Sequence, residues 1–339
     1  MSAEPAPPNP APLNRRWRGW FRIALAALGL AGPGYLVHRI GPARLLDAST
    51  LLAPWLPLVF AIEGLRIVVD AFTSRLLYGE RGALVPWPTL LRVHAIAYPA
   101  NLLLPGGRAV AEGIKIAELR RYIGLERVAA AAVVGPAIAL LGVFLVSLPC
   151  LAVAAWRWGM NALSWAIAAQ ATSAIVAAFG LLFVARRPEL GRGVAKLSAS
   201  IGATTERVRL ELESMGFVPL RPLASALANR ALLGIEVALF VYAVGARGSA
   251  LPAAVGVHLV GAAIGDAVPA QLGATDGSMA FAAEPLGLTM ASAVAASLAF
   301  HAVQLGWVLV GSLVALVSSR AELEQHHRER ESEDGTADP

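Results

Sequence analysis

Cysteine and charge are both scarce in this chain. The single cysteine, Cys150, excludes an intramolecular disulfide and a cysteine-rich metal site. Charged residues make up only 15% of the 339 residues, whereas roughly 25% is usual for soluble domains. The longest polar stretch, at about 186–221, is too short for a soluble enzyme or a nucleic-acid-binding domain. A membrane protein is the class that remains.

Long apolar runs fill most of the sequence. Hydrophobic residues make up 57% of the chain, and a helix needs about 20 apolar residues in succession to cross a bilayer. We therefore predict an all-α, polytopic integral membrane domain over residues 20–318. It lies between a disordered, Pro/Ala-rich cytoplasmic N-terminus (1–19) and a charged cytoplasmic tail (319–339). The predicted spans lie near 21–38, 51–74, 128–156, 161–185, 222–244 and 289–318.

Two segments, 88–124 and 252–287, do not look like ordinary spans. Each is apolar at first, reaches a proline/glycine break, and continues with small and polar residues, so each half is short for a crossing. Broken backbone is tolerated at membrane depth only where protein or water covers it. We expect a re-entrant helical hairpin in each segment, with a single crossing as the alternative. The predicted breaks are Pro105, Gly106 and Gly107 in the first hairpin and Pro269, Gly273 and Gly277 in the second.

The distribution of basic residues favours the hairpin. Arginines precede the segment at 88–124, and five basic residues lie in or after its second half. Because cytoplasmic loops are enriched in Lys and Arg, both flanks are predicted to be cytoplasmic, as is the basic loop 186–221. No Lys or Arg occurs between Arg247 and Arg320, which is typical of an outer face.

Residues also recur at a constant offset of 164. With the topology above, this predicts two units of opposite orientation, at about 51–156 and 222–318, as in transporters built from inverted repeats. The recurring pairs are Arg66 and Arg230, Tyr78 and Tyr242, Pro88 and Pro252, His94 and His258, Pro105 and Pro269, Glu112 and Asp276, and Gly113 and Gly277.

Charged residues inside the predicted spans are the candidate site. Glu63, Arg66 and Asp70 fall on one face of a helix, and a charge at the bilayer centre costs about 2.5–3.5 kcal/mol on insertion scales. They form either a polar site for a charged headgroup or coupling ion, or an ion-pair network that locks helices together. In the second unit Asn229 and Glu236 share a face, with Arg230 adjacent to it.

The predicted hairpins supply further candidates. A helix beginning after Gly107 would present its positive end to an anion such as a lipid phosphate. The alternative is an interfacial helix whose basic side chains extend to headgroups. In the second hairpin, Asp276 has no nearby cation and is either a protonation site or a solvated acid. The candidate residues in the first hairpin are Asn101, Arg108, Glu112 and Lys115.

The hairpins also carry a family resemblance. The order Asn101, Pro105-Gly106, Glu112, Lys115, Leu119, Gly124 resembles the first signature of the flippase-like family that includes the membrane part of lysylphosphatidylglycerol synthetase. The order Pro269, Gly273, Asp276-Gly277, Gly287 is similar to the second, although 270–272 replaces part of a glycine-rich run and Asp276 stands where Glu is more usual.

That resemblance implies movement of lipids between leaflets, without the aminoacyl transfer of a soluble synthetase domain. We expect a non-enzymatic flippase for an anionic or isoprenoid-type lipid in a bacterial inner membrane. The alternatives are a non-transporting scaffold for a lipid-modifying or hopanoid-pathway enzyme, and a proton-coupled carrier of small solutes. The expected partners are membrane lipids and, for the scaffold, an enzyme of lipid biosynthesis. No metal, cofactor or nucleic acid is expected.

Overall fold

The computed structural model describes residues 35, 37–104, 106–189, 199–266, 268 and 271–334, with the side chains at 199–201 and 319–334 left out. Over these ranges the chain forms helices and turns and no strand, which confirms the all-α prediction. The helices are α1 (Pro42–Leu52), α2 (Leu56–Leu77), α3 (Trp87–Leu103), α4 (Gly107–Ile123), α5 (Leu125–Trp158), α6 (Ala162–Val184), α7 (Ala199–Ser214), α8 (Leu220–Ala243), α9 (Ala250–Gly265), α10 (Ala274–Phe281) and α11 (Met290–Asp334).

Several helices are long and apolar enough to cross a membrane, which confirms a multi-pass membrane protein. Within the described ranges they are Pro42–Leu77, Leu125–Trp158, Ala162–Val184, Leu220–Ala243 and Met290–Ser318. They coincide with all the predicted spans except the first, near 21–38, which lies almost wholly outside the described residues. The N-terminal segment 1–19 lies outside them as well.

Both unusual segments form pairs of short helices that fold back on each other. Arg92 of α3 forms an ion pair with Glu118 of α4 at 3.3 Å, so these two helices are antiparallel. In the second pair, Gly261 of α9 packs directly on the backbone of Thr275 in α10. With 17 residues, α3 is about 25 Å long, less than the roughly 30 Å of a hydrocarbon core. The side from which each hairpin enters the membrane stays a prediction.

The breaks lie close to their predicted positions, with one correction. Gly106 has a left-handed backbone (φ 65°) directly before α4, which begins at Gly107. Gly273 (φ 83°) precedes α10 in the same way. Gly277, however, lies inside α10, so its assignment to the break was wrong. The helix starts earlier because the Asp276 carboxylate accepts the Gly273 N–H at 2.9 Å and caps it. Pro105 and Pro269 lie outside the described residues.

The same order of helices occurs twice. In the first half, α2 to α5 begin at residues 56, 87, 107 and 125, and in the second half α8 to α11 begin at 220, 250, 274 and 290. The corresponding helices α2 and α8 lie side by side and antiparallel. Trp55 packs on Tyr242 at one end (centroids 6.0 Å apart), and Thr73 contacts Ser225 at the other (2.8 Å).

An inverted repeat requires this antiparallel arrangement of equivalent helices. Near the middle of the pair, the Asn229 side chain donates to the Arg66 carbonyl at 2.8 Å. The recurring arginines, Arg66 and Arg230, therefore lie at the centre of the crossing between α2 and α8. Inversion relative to the membrane stays a prediction that this geometry supports.

Small residues allow the closest helix contacts, as is usual in membrane proteins. A side chain added at Gly261 would place its first carbon 2.7 Å from the Thr275 Cα, a backbone atom that cannot move aside alone. Gly277, on the other helix of the same hairpin, has nothing within 4 Å of that position.

We expect Gly261→Ala to destabilise the protein and Gly277→Ala, its matched control, to leave it unchanged or slightly more stable. Overpacking of a filled interface costs about 1–3 kcal/mol, whereas alanine in an open helical position gains up to about 1 kcal/mol over glycine. Thermal unfolding in detergent, followed by size-exclusion chromatography, measures the difference. Equal midpoints for the two variants would contradict the described packing of the hairpin.

Candidate functional site

Two buried acids hold Arg66 at the crossing of α2 and α8. Its Nη1 atom forms an ion pair with Glu63, one turn earlier on α2, and another with Glu236 of α8 at 2.7 Å. The Tyr98 hydroxyl of α3 donates to Glu63 at 2.5 Å. Glu63 is 2% exposed and Glu236 is fully buried. Arg66 thereby joins α2 to α8, and Glu63 joins α2 to α3. We call these residues the Arg66 cluster (Glu63, Arg66, Tyr98 and Glu236).

Asp70, predicted to lie with Glu63 and Arg66, belongs to a different group. Its carboxylate contacts His94 of α3 at 2.9 Å and Lys115 of α4 at 3.5 Å, and Lys115 also bonds to Glu112 at 3.0 Å. The Lys115 side chain is therefore shared by two carboxylates. Of the two cations predicted to bind an anion at this hairpin, Lys115 is already neutralised.

Arg230 differs from Arg66 in having no such partner. Across the part of the chain that the structure describes, its side chain makes neither a hydrogen bond nor an ion pair. It is half-buried on α8, and Gly142 of α5 makes room for it, since a side chain there would lie 3.3 Å from the Arg230 Cγ. Arg230 is thus a cation within a predicted span that no neighbouring acid neutralises at contact distance.

Both hairpins place a charged residue near Arg230. Arg108, in the first turn of α4, is exposed and forms no ion pair with the described residues. Asp266 directly follows α9, and the charges of Arg108 and Arg230 both act on it. We call Arg108 and Arg230 the basic site. Asn101 is exposed at the end of α3, and its carbonyl lies against Gly107, so it borders this site.

The structure uses Asp276 as a helix cap. Its carboxylate is fully buried, accepts the Gly273 N–H, and lies 3.4 Å from His301 of α11. The Thr275 hydroxyl lies 2.8 Å from the same histidine ring. These contacts fix the second hairpin to α11, and a substrate could reach Asp276 only if they opened.

The recurring histidines make structural contacts in different surroundings. His94 pairs with Asp70, and His258 packs edge-on against Phe300 with ring centroids 4.7 Å apart. Among the described residues, no three His, Cys, Asp or Glu side chains are grouped so as to hold a metal.

The polar loop at 186–221 contains a helix that the sequence analysis missed. Glu211 of α7 forms ion pairs with Arg81 and Arg127, both at 3.1 Å, and these residues border a cleft of about 700 Å³. Hydrogen bonds from Arg209 hold the pKa of the exposed Glu206 carboxyl below its usual value. Ion pairs at i, i+3 and i, i+4 spacing, as between Arg209 and Glu206 or Glu213, were the signal for this helix.

The two arginines at equivalent positions should respond differently to the same substitution. Arg66→Gln leaves two buried carboxylates without a counter-ion, and removal of one partner from a buried ion pair costs about 3–5 kcal/mol. Arg230→Gln, the matched control, breaks no ion pair. We expect a large fall in the thermal midpoint for Arg66→Gln and little change for Arg230→Gln. Similar losses in both variants would show that Arg230 also has a structural partner.

Comparison with known proteins agrees with this architecture. No curated protein and no solved structure matches the chain. One family does, over residues 19–311, and it is described as the lysylphosphatidylglycerol synthase TM region. The match covers both hairpins, the Arg66 cluster and the basic site, and the chain belongs to this lysylphosphatidylglycerol synthase transmembrane family.

Proposed function

We propose that the chain is a flippase-like transporter, which moves lipids with an anionic headgroup between the two leaflets of a bacterial inner membrane. The observation that carries this proposal is the basic site. Arg230 and Arg108 present two positive charges that form no ion pair with any described residue, at the point where the predicted hairpins approach the central helices. A multi-pass membrane domain of a lipid-associated family is the setting in which such a site would bind lipid.

The energetics of charge in a membrane support a functional role. An ionised side chain in a span is expensive, and such residues typically mark pathways for substrates or ions. Arg66 has its cost offset by two acids, whereas Arg230 has no comparable contact. A phosphate would supply the missing negative charge, and arginine binds phosphate through paired, charge-assisted hydrogen bonds.

The helix arrangement supports a route for the headgroup. In the proposal, a headgroup at Arg230 lies near the crossing of α2 and α8, and its acyl chains remain in the surrounding bilayer. The two units, with both termini in the cytoplasm, would open toward opposite faces in turn, as inverted repeats do in many transporters. The hairpins would supply the moving segments, because their helices are short and joined at glycine breaks.

Leaflet-specific labelling of phosphatidylglycerol in proteoliposomes tests the proposal. We expect the wild-type protein to exchange this lipid between leaflets faster than empty vesicles, and a lipid without a phosphate to move at the background rate. Arg230→Gln should slow the exchange about tenfold or more, since hydrogen bonds to charged groups contribute about 1.5–3 kcal/mol and each 1.4 kcal/mol is a factor of ten.

Arg221→Gln is the matched control, because Arg221 is exposed at the start of the same helix and has no contact partner among the described residues. Exchange at the background rate by the wild-type protein would contradict transport and favour the scaffold alternative. Equal rates for Arg230→Gln and Arg221→Gln would contradict the basic site. Transport of a small solute instead, unaffected by lipid composition, would favour a carrier.

A further inference from the structure

The Arg66 cluster contains one more acid than base. The Nη1 atom of Arg66 contacts the Oε2 atoms of both Glu63 and Glu236. Both carboxyl groups therefore lie against the same guanidinium nitrogen. With both acids ionised, the cluster would carry one uncompensated negative charge in a site that is 0–3% exposed at its carboxylates.

Among the described residues, no cation other than Arg66 contacts either acid. On α3, the group that contacts the cluster is the uncharged Tyr98 hydroxyl. On α9, the one titratable residue is His258, which lies within electrostatic range of Arg66. The charged residues of α5 lie only at its two ends, and α11 has none before Arg320. On α11, His301 is engaged by Thr275.

The same helix, α8, carries Arg230 six residues before Glu236. The cation that contacts Glu236 is nevertheless Arg66, at 2.7 Å. The Glu236 Oε1 atom is buried and has no hydrogen-bond partner. An ionised carboxylate with such an oxygen is costly, because a buried polar atom left unpaired loses about 1–3 kcal/mol, and more if charged.

We propose that Glu63 and Glu236 bind a single proton between them, and that this shared proton couples transport to a proton gradient. Two carboxyl groups in contact cannot both ionise without strong repulsion. When one proton is shared by the two carboxyl groups, a single negative charge remains, and the Arg66 guanidinium neutralises it. The coupling rests on the proposed function, whereas the proton site does not.

The position of the site explains how a proton could control access. The cluster joins α2 to α8, the equivalent helices of the two units, through Arg66 and Glu236. With the proton bound, the contact is electrically neutral and the helices stay together. After the proton leaves, the two carboxylates repel each other and α8 is released from α2. The form in which α2 and α8 are in contact therefore binds the proton more tightly, and proton binding increases the population of that form.

Infrared spectroscopy of the full-length protein in nanodiscs tests the proton site without any transport assay. At neutral pH we expect a carbonyl band of an un-ionised carboxylic acid that shifts in D2O. The band should disappear in Glu236→Gln and be lost or altered in Glu63→Gln. It should persist in Glu118→Gln, the control, because Glu118 is a half-buried acid outside the cluster that pairs with Arg92. If neither cluster variant changes such a band, the site holds no proton. If sodium ions abolish the band, the site takes sodium, and the proposal is wrong.

The coupling has its own test in proteoliposomes. An imposed pH gradient should change the rate of lipid exchange by the wild-type protein, in opposite senses for the two gradient directions. In Glu236→Gln the rates with and without the gradient should be equal, whereas Arg221→Gln should respond like the wild type. A gradient response retained by Glu236→Gln would overturn the coupling, even where the infrared result assigns the proton. Failure of all lipid exchange would contradict the proposed function and leave the infrared result standing.

Discussion

The contact of Arg66 with two buried carboxylates is the interaction on which the centre of this protein depends. It connects α2, α3 and α8 by charge, beside the Thr73–Ser225 and Asn229–Arg66 hydrogen bonds between α2 and α8 and the Asp70–His94 contact between α2 and α3. In a bilayer, apolar packing alone gives little preference between one helix arrangement and another, because lipid chains are as apolar as leucine. A buried ion pair is different, since its partners have no alternative in the lipid. The Arg66 cluster therefore determines which faces of α2 and α8 meet.

The two recurring arginines have different surroundings. Those of Arg66 suit a structural role, and those of Arg230 suit the binding role proposed for it. Arg66 is enclosed by acids, whereas its counterpart Arg230 contacts none among the described residues. At the 164-residue offset, Leu227 stands where Glu63 would recur and Phe72 stands where Glu236 would recur. An acid at position 72 would give Arg230 the partner that Arg66 has. The recurrence in the sequence therefore matches the place of both arginines at the crossing, and the differences between the two copies leave Arg230 without the acidic contacts of Arg66 among the described residues.

The fold class, the five spans within the described residues and the two pairs of short helices could be predicted, because hydropathy and proline/glycine breaks are local signals. The partners of the charged residues could not. Glu63, Arg66 and Asp70 share a helix face, but Asp70 lies about 10 Å along the axis from Glu63 and so meets α4 instead of α8. Glu236 has no acidic counterpart at the 164-residue offset, which hid its role. Asp276 was predicted as a site residue, and its capping role was missed. That role depends on where α10 starts, and the start is set by a backbone conformation that the sequence does not show.

The basic site and the proton site are close enough to influence each other. Arg230 and Glu236 are six residues apart on α8, or about 9 Å along the helix axis. Because this rise is the smallest separation that the two charges can have, an anion at Arg230 would stabilise the proton by at most about 2 kcal/mol at an effective dielectric constant of about 20. The coupling is reciprocal, so the proton would strengthen binding of the anion by the same amount. Lipid headgroup and proton should then occupy the protein together, and a gradient that drives the proton in one direction would drive the headgroup in the same direction.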